Sequence, residues 1–403
     1  MPRPPRDDRR TPRDDRLAGT NGRDVIVALA GDDRIVAGRG NDIVCAAGGD
    51  DIVYDGAGDD SMAAGAGDDT VHQSPGADSL RAGGGFDQLL YRTERKRVVV
   101  DVAAGRARIG GDSDTLDGFE FYALSRFDDQ FAGGTGPDLV DAGRGADVLR
   151  GGDGADYLRG EDGDDVVNGG PGNDTLYGEA GSDRLTDLSG SNEFLDGITK
   201  ERDKPGTLRA GDGADGFWLR SATYTVTAGG GDDVFNLDGG LSDSTVYAGD
   251  GDDTVWFSHG WAGEPMRLLL GDGDDQVTCV RAGCGGRNVI TGGAGRNALM
   301  LSSSTPPATV VLGPTGSLSI DGRVAREMSL IDFTVVTTGH SDDNITGSDA
   351  ADTITTYGGD DTINALGGDD TVDAGIGVDT VDGGDGDDTC VGAETPTSCE
   401  TLP

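Results

Sequence analysis

The sequence predicts an all-β chain, a parallel β-roll or β-solenoid of 18-residue coils, each made of two nine-residue turns, with longer one-sided coils in the middle. Three observations lead there. Aspartates recur every nine residues over long stretches, and nearly all sit between a glycine two positions earlier and an apolar residue two positions later. The chain as a whole also has too little apolar bulk for ordinary cores, with 34% hydrophobic and 5% aromatic residues and 72 glycines among 403.

The periodicity is the strongest of the three. Asp24, Asp33, Asp42, Asp51, Asp60, Asp69, Asp78 and Asp87 keep one phase, with Gly22, Gly31 and so on to Gly85 two places before them and Ile26, Ile35, Val44, Val53, Met62, Val71, Leu80 and Leu89 two places after. The phase returns at Asp129, Asp138, Asp147, Asp156, Asp165, Asp174 and Asp183, and again at Asp343, Asp352, Asp361, Asp370, Asp379 and Asp388. Asp129 and Asp343 lack the register glycine, having Phe127 and Ser341 there, so their sites are set apart from the rest.

A nine-residue unit is too short for a helical hairpin, and its glycines would each cost a helix about 1 kcal/mol relative to alanine. It suits a tight turn followed by a three-residue strand with one side chain facing inward. Coils of two such units stack at about 4.8 Å, which sets every second aspartate above its predecessor. Such a carboxylate column repels itself by roughly 1 kcal/mol per neighbour even in water.

Charge points the same way. A formal net charge of −42 describes a polyanion that resists compaction without cations. Nucleic acid and anionic membrane surfaces are poor candidates as partners, because both need a basic patch and the basic residues cluster only in short stretches such as the start of the chain. Carboxylates and backbone carbonyls are hard oxygen ligands that favour Ca²⁺, which accepts six to eight of them in flexible geometry, over Mg²⁺ or softer metals. Three histidines are too few for transition-metal sites.

GGDGADYLR (151–159) and GGPGNDTLY (169–177) resemble the nonapeptide of the RTX, or hemolysin-type calcium-binding, repeat family. The resemblance implies a parallel β-roll in which each Ca²⁺ is shared by turns one coil apart, through the Asp side chain and main-chain oxygens. The expected metal ligands are Asp24, Asp33, Asp42, Asp51, Asp60, Asp69, Asp78 and Asp87, then Asp138, Asp147, Asp156, Asp165, Asp174 and Asp183, then Asp352, Asp361, Asp370, Asp379 and Asp388. Pairing turns one coil apart gives about fifteen ions over the three blocks.

Between the regular blocks the pattern changes. Residues 91–127 carry RVVVDVAAG and DTLDGFEF, and residues 301–340 look like a second copy with ATVVLGPTG and SLIDFTVV; both are expected to continue the coil without calcium. In residues 207–300, Asp215, Asp233, Asp253 and Asp275 follow GDGAD, GGGDD, GDGDD and GDGDD at spacings of 18, 20 and 22, which predicts calcium turns on one edge only. Trp256, His259 and Trp261, with Arg267 and Arg281 nearby, either cover the coil edge or bind an extracellular polysaccharide. The organisation expected is therefore a disordered tail (1–18), repeat block 1 (19–90), a connector (91–127), block 2 (128–186), a charged loop (187–206), long coils (207–300), a second connector (301–340), block 3 (341–391) and a C-terminal cap (392–403).

No run of about 18 apolar residues is present, so no transmembrane helix is expected. The start of the chain lacks the apolar stretch of a signal peptide. Cys279 with Cys284 and Cys390 with Cys399 are candidate pairs, leaving Cys45 over. Neither H-E-x-x-H nor G-x-S-x-G occurs, and Asp-Asp pairs belong to the calcium register, so no catalytic residue is assigned. The expectation is a secreted or cell-surface protein that folds on Ca²⁺, with calcium structural. The alternatives are a glycan-binding or lyase- or epimerase-like solenoid centred on 207–300, and a fragment of a larger RTX toxin or adhesin.

Overall fold

The computed structural model describes residues 12–196, 205–220, 223–238, 241, 243–258, 265–280, 287–302, 306–320 and 328–399. Two units divide the chain, Met1–Leu185 and Thr186–Pro403. Each is a β-solenoid, and no helix occurs among the described residues.

In the first unit two parallel sheets alternate along the chain. One begins with the short strands Arg16–Ala18, Arg34–Val36, Ile52–Tyr54, Thr70–His72 and Gln88–Leu90, the other with the longer Val25–Ala30, Ile43–Gly48, Ser61–Ala66 and Ser79–Gly84. Partners are 18 residues apart, as in Ile35↔Val53 and Val44↔Met62. Every strand therefore presents the same side chain to the same place. The apolar residue of each repeat points inward and is buried, from Ile26 to Leu89 and again from Phe131 to Leu185. This alternation, one buried side chain between two outward ones, is what period-two patterning over three residues dictates.

The connectors depart from expectation. Residues 98–117 do not continue the coil but fold as an antiparallel meander of Val98–Asp101, Arg106–Ile109 and Asp112–Asp117. Its outer strands join the solenoid in parallel, Asp112–Asp117 beside Ser79–Gly84 and Val98–Asp101 beside Gln130–Ala132. The opposite sheet gains one strand over the same stretch, Phe121–Ala123. Gly105 and Gly110, at φ of +60° and +66°, close the two hairpins. The second unit repeats the device: Ala308–Val311, Gly316–Ile320 and Met328–Ile331 are antiparallel neighbours whose ends pair with Asn344–Thr346 and Val289–Ala294. The two connectors are thus copies, as expected, of something other than a coil.

The second unit also holds the long coils. Gly216–Arg220, Val234–Asp238, Thr254–Phe257, Gln276–Cys279 and Ala298–Leu301 stack in parallel, and Tyr224–Gly230, Thr245–Asp250, Arg267–Asp272 and Val289–Ala294 form the opposite sheet. Their core is aromatic. Phe194, Phe217 and Phe235 stack face to face at 4.9 and 4.7 Å between ring centroids. The stretch 187–206, expected as a charged loop, contributes the strand Glu193–Asp196, because Phe194 supplies the inward side chain.

Candidate metal centre

Apart from the half-buried Asp24, the repeat aspartates are buried. One oxygen is used within the column: Asp138 N–H donates to Asp156 Oδ1 at 2.8 Å, and Asp147 N–H donates to Asp165 Oδ1 at 2.8 Å. The same bond recurs coil after coil, from Asp33 N–H to Asp51 Oδ1 at 2.7 Å down to Asp370 N–H to Asp388 Oδ1 at 2.9 Å. Asp174 and Asp183 hold the same place, accepting from Asp156 and Asp165 at 2.8 Å each.

The second oxygen decides the chemistry. Oδ2 is buried without a hydrogen-bond partner in Asp33, Asp42, Asp51, Asp60, Asp69 and Asp87, in Asp147, Asp156 and Asp165, in Asp215, Asp233, Asp253 and Asp275, and in Asp343, Asp361, Asp370 and Asp379. Buried polar atoms are ordinarily satisfied, so a repeated orphan asks for a ligand. Main-chain oxygens face the same space. A β-carbon built on Gly151 would overlap both Asp156 Oδ2 and the Gly169 carbonyl, and one on Gly163, at φ +157°, would overlap the Gly145 carbonyl. Among the described residues no three His, Cys, Asp or Glu side chains converge. The donor set is therefore one carboxylate per turn with backbone carbonyls from neighbouring coils, all hard oxygen, and it fits Ca²⁺. These aspartates and carbonyls would hold the ion, and its charge would neutralise the column.

Electrostatics agree with the geometry. Burial pushes Asp165 and Asp253 up to about 8, against the pull of the N–H each accepts, and neighbouring aspartates of the column push the same way. Burial likewise raises Asp69, Asp147 and Asp233 to about 7 and Asp51, Asp60, Asp156, Asp215, Asp275, Asp361 and Asp370 to about 6. The column resists full ionisation unless a cation lies against it.

Some expected ligands are satisfied by protein donors instead. Asp24 Oδ2 accepts from Thr20 N–H and Oγ1–H at 2.6 and 2.9 Å, and Asp352 Oδ2 accepts from Ser348 N–H and Oγ–H at 2.6 and 3.0 Å. Asp129, set apart for lacking its glycine, has the same Ser125 cap at 2.7 and 2.8 Å. Asp138 accepts from Gly134 N–H at 2.9 Å. Gln73 reaches from Asp78 Oδ2 to Asp114 Oδ2, at 3.4 and 3.2 Å, so its amide stands where the other turns have room for a cation.

Other groups in the columns went unpredicted. Asp114, Glu120, Asn297 and Glu394 replace repeat aspartates, accepting from Asp78, Asp87, Asp275 and Asp379 N–H at 3.0, 2.7, 3.1 and 2.7 Å. A broader motif, with Glu or Asn allowed at the Asp position, finds three of them: Gly118-Phe-Glu120-Phe-Tyr122, Gly295-Arg-Asn297-Ala-Leu299 and Gly392-Ala-Glu394. Asp114 has no glycine two places earlier and carries no such signal. A second, exposed ladder runs beside the first with opposite polarity: Asp50 and Asp68 N–H donate to Asp32 and Asp50 Oδ1 at 2.9 and 2.8 Å. That is the role of the first aspartate in each Asp-Asp pair.

In the long coils the metal-type column runs along one edge, Asp215, Asp233, Asp253 and Asp275, with bonds across 18, 20 and 22 residues. On the other edge Ser244 Oγ and Asn288 Oδ1 accept from Tyr224 and Met266 N–H at 2.9 and 3.0 Å. The aromatic and basic cluster does not assemble as expected. Trp256 and Arg267 lie on opposite sheets, because the chain crosses the coil between them, while His259, Trp261 and Arg281 lie outside the described residues.

The cysteines follow expectation where they can be described. Cys390 and Cys399 form a disulfide with their Cα atoms 5.9 Å apart. Cys279 is disulfide-bonded and Cys284 lies outside the described residues, while Cys45 is free.

Fold and site together define a β-solenoid whose turns form columns of hard oxygen ligands. The family model described as RTX calcium-binding nonapeptide repeat matches residues 11–44, 46–72, 125–158, 150–185, 338–372 and 364–394, so these segments carry repeats similar to those of that calcium-binding family. None of the curated proteins matches it. The matched segments are the regular blocks, and the long coils fall between them.

Proposed function

We propose that this is an extracellular or cell-surface protein whose solenoid folds when Ca²⁺ fills the turn columns, calcium serving structure and not chemistry. The observation that carries the reading is the repeated buried Oδ2 without a hydrogen-bond partner. Extracellular modules bind Ca²⁺ at about 10⁻⁴ to 10⁻³ M, so a low-calcium cytosol would leave the chain unfolded and the outside would fold it. The Cys390–Cys399 disulfide supports an oxidising compartment. No helix among the described residues is long and apolar enough to cross a membrane. Where Oδ2 already accepts from a protein N–H, as at Asp24, Asp129, Asp138 and Asp352, the turn would offer a cation less, and the ion count would fall below the fifteen that spacing suggests.

Circular dichroism during a calcium titration tests the reading. β-Structure should rise cooperatively with Ca²⁺ and vanish in excess chelator. Full β-structure in chelator, unchanged by Ca²⁺, would overturn it. A second reading, polysaccharide binding by the long coils, is favoured by the exposed indoles of Trp218 and Trp256.

A further inference from the structure

The outer face of one sheet in the second unit carries side chains that the calcium turns do not use. Strand register puts Trp218, Asn236 and Trp256 in one row across Gly216–Arg220, Val234–Asp238 and Thr254–Phe257. Beside it Arg220 pairs with Asp238 at 2.9 Å, and Ser258 Oγ–H donates to Asp238 Oδ1 at 3.2 Å. The two indoles remain 37% and 40% exposed. The benzenoid edge of Trp218 reaches over Gly216, where a β-carbon would come within 2.6 Å of Cη2, so the glycine makes room for the ring.

We propose that this row binds a neutral, extended β-1,4-linked polysaccharide lying across the strands. The inference rests on the polysaccharide reading above and replaces its basic partner, Arg267, with groups on the same sheet as Trp256. Two strand steps separate the indoles, about 9.6 Å, and an extended β-1,4-linked pyranose chain presents the same apolar C–H face again after every second sugar. A sugar stacks on each indole, and the hydroxyls of the sugar between them meet Asn236, with Arg220, Asp238 and Ser258 alongside.

Charge selects the polymer. Along these three strands the outward charges are Arg220 and Asp238, which neutralise each other within a chain of net charge −42. An acidic polysaccharide finds no uncompensated cation in the row, and a basic polymer is drawn to the aspartate turns instead. A neutral chain of equatorial hydroxyls and flat C–H faces matches what is displayed.

The test uses the full chain saturated with Ca²⁺ and shown to be folded by circular dichroism. Titration calorimetry with chitohexaose and with cellohexaose distinguishes an N-acetylated from a plain glucan source, and co-sedimentation with insoluble chitin and cellulose checks the polymer. One of the two oligosaccharides should bind. Trp218→Ala and Trp256→Ala should each weaken it by about tenfold. Gly216→Val, which lifts the Trp218 ring from the sheet, should weaken it as well, while Tyr247→Ala, exposed on the opposite sheet, should not. A folded chain that binds neither oligosaccharide overturns the proposal, as does binding that survives both tryptophan changes. Sedimentation velocity showing a dimer that Trp256→Ala dissolves would give the face to a second copy and overturn it equally. Failure here leaves the calcium titration untouched, so the two readings fail separately.

Discussion

The regular blocks and the long central coils meet the same stacking problem with different side chains. In block 2 both edges carry aspartate ladders, Asp147, Asp165 and Asp183 on one and Asp138, Asp156 and Asp174 on the other, around aliphatic residues such as Leu158 and Leu176. In the central coils the second edge is closed by Ser244 and Asn288, and the core is a phenylalanine stack. Neutral donors and acceptors need no cation, and stacked rings bury more apolar area per coil than Val or Leu. Reliance on calcium is therefore set edge by edge. A coil can lose one ladder if its core grows.

Calcium withdrawal should separate the two regions most visibly. In chelator, hydrogen exchange should accelerate throughout the doubly laddered blocks first and reach 216–301 later. Uniform loss across both regions would mean that one ladder suffices to make a coil fully calcium-dependent.

Core truncation tests the other half. Phe217→Ala should cost about 3–5 kcal/mol in saturating Ca²⁺, measured by denaturant unfolding, because it interrupts the stack on both sides. Leu158→Ala in block 2 should cost less, about 2–3 kcal/mol, since columns on both edges still hold that coil.

Asp165→Asn sharpens the role of charge. The amide keeps the oxygen that accepts from Asp147 N–H but loses the anion, so the change should destabilise by roughly 2 kcal/mol in Ca²⁺ and stabilise in chelator. Loss under both conditions would deny the cation its role.

The pH dependence follows with its sign. Without calcium, burial holds Asp156, Asp69 and Asp165 at about 6, 7 and 8, above the ordinary 3.8, so folding takes up protons at these positions. The stability this confers is complete below about pH 4 and lost as pH rises through 6 to 8. Calcium reverses the preference, and its apparent affinity should fall as pH drops through the same window. The smallest effect expected is at Ala47, which sits at φ +87°: Ala47→Gly should stabilise by about 0.5–1 kcal/mol at a position where glycine is the usual repeat residue.

Much of the fold was legible because nine-residue spacing is a local signal. Ile35, Val44 and Val53 are inward by the same rule that makes Asp33, Asp42 and Asp51 turn residues, and one register error would have turned every side chain out. The candidate columns were legible for the same reason. The caps were not: Thr20, Ser125 and Ser348 stand four residues before their aspartates, where most repeats have glycine, and only backbone geometry turns their N–H groups inward. Gln73 bridging Asp78 and Asp114 joins residues 41 apart in sequence.

By itself the sequence determined the coil length, the inward residues, the carboxylate columns and hence the ion that suits them, because each follows from repetition over nine or 18 residues. The tertiary structure alone decided which turns leave an oxygen for a cation, where the two meanders join the sheets, and that Trp256 shares a face with Trp218 and not with Arg267. Those are questions of which distant strand lies alongside, and hydrogen bonding between coils answers them where spacing along the chain does not.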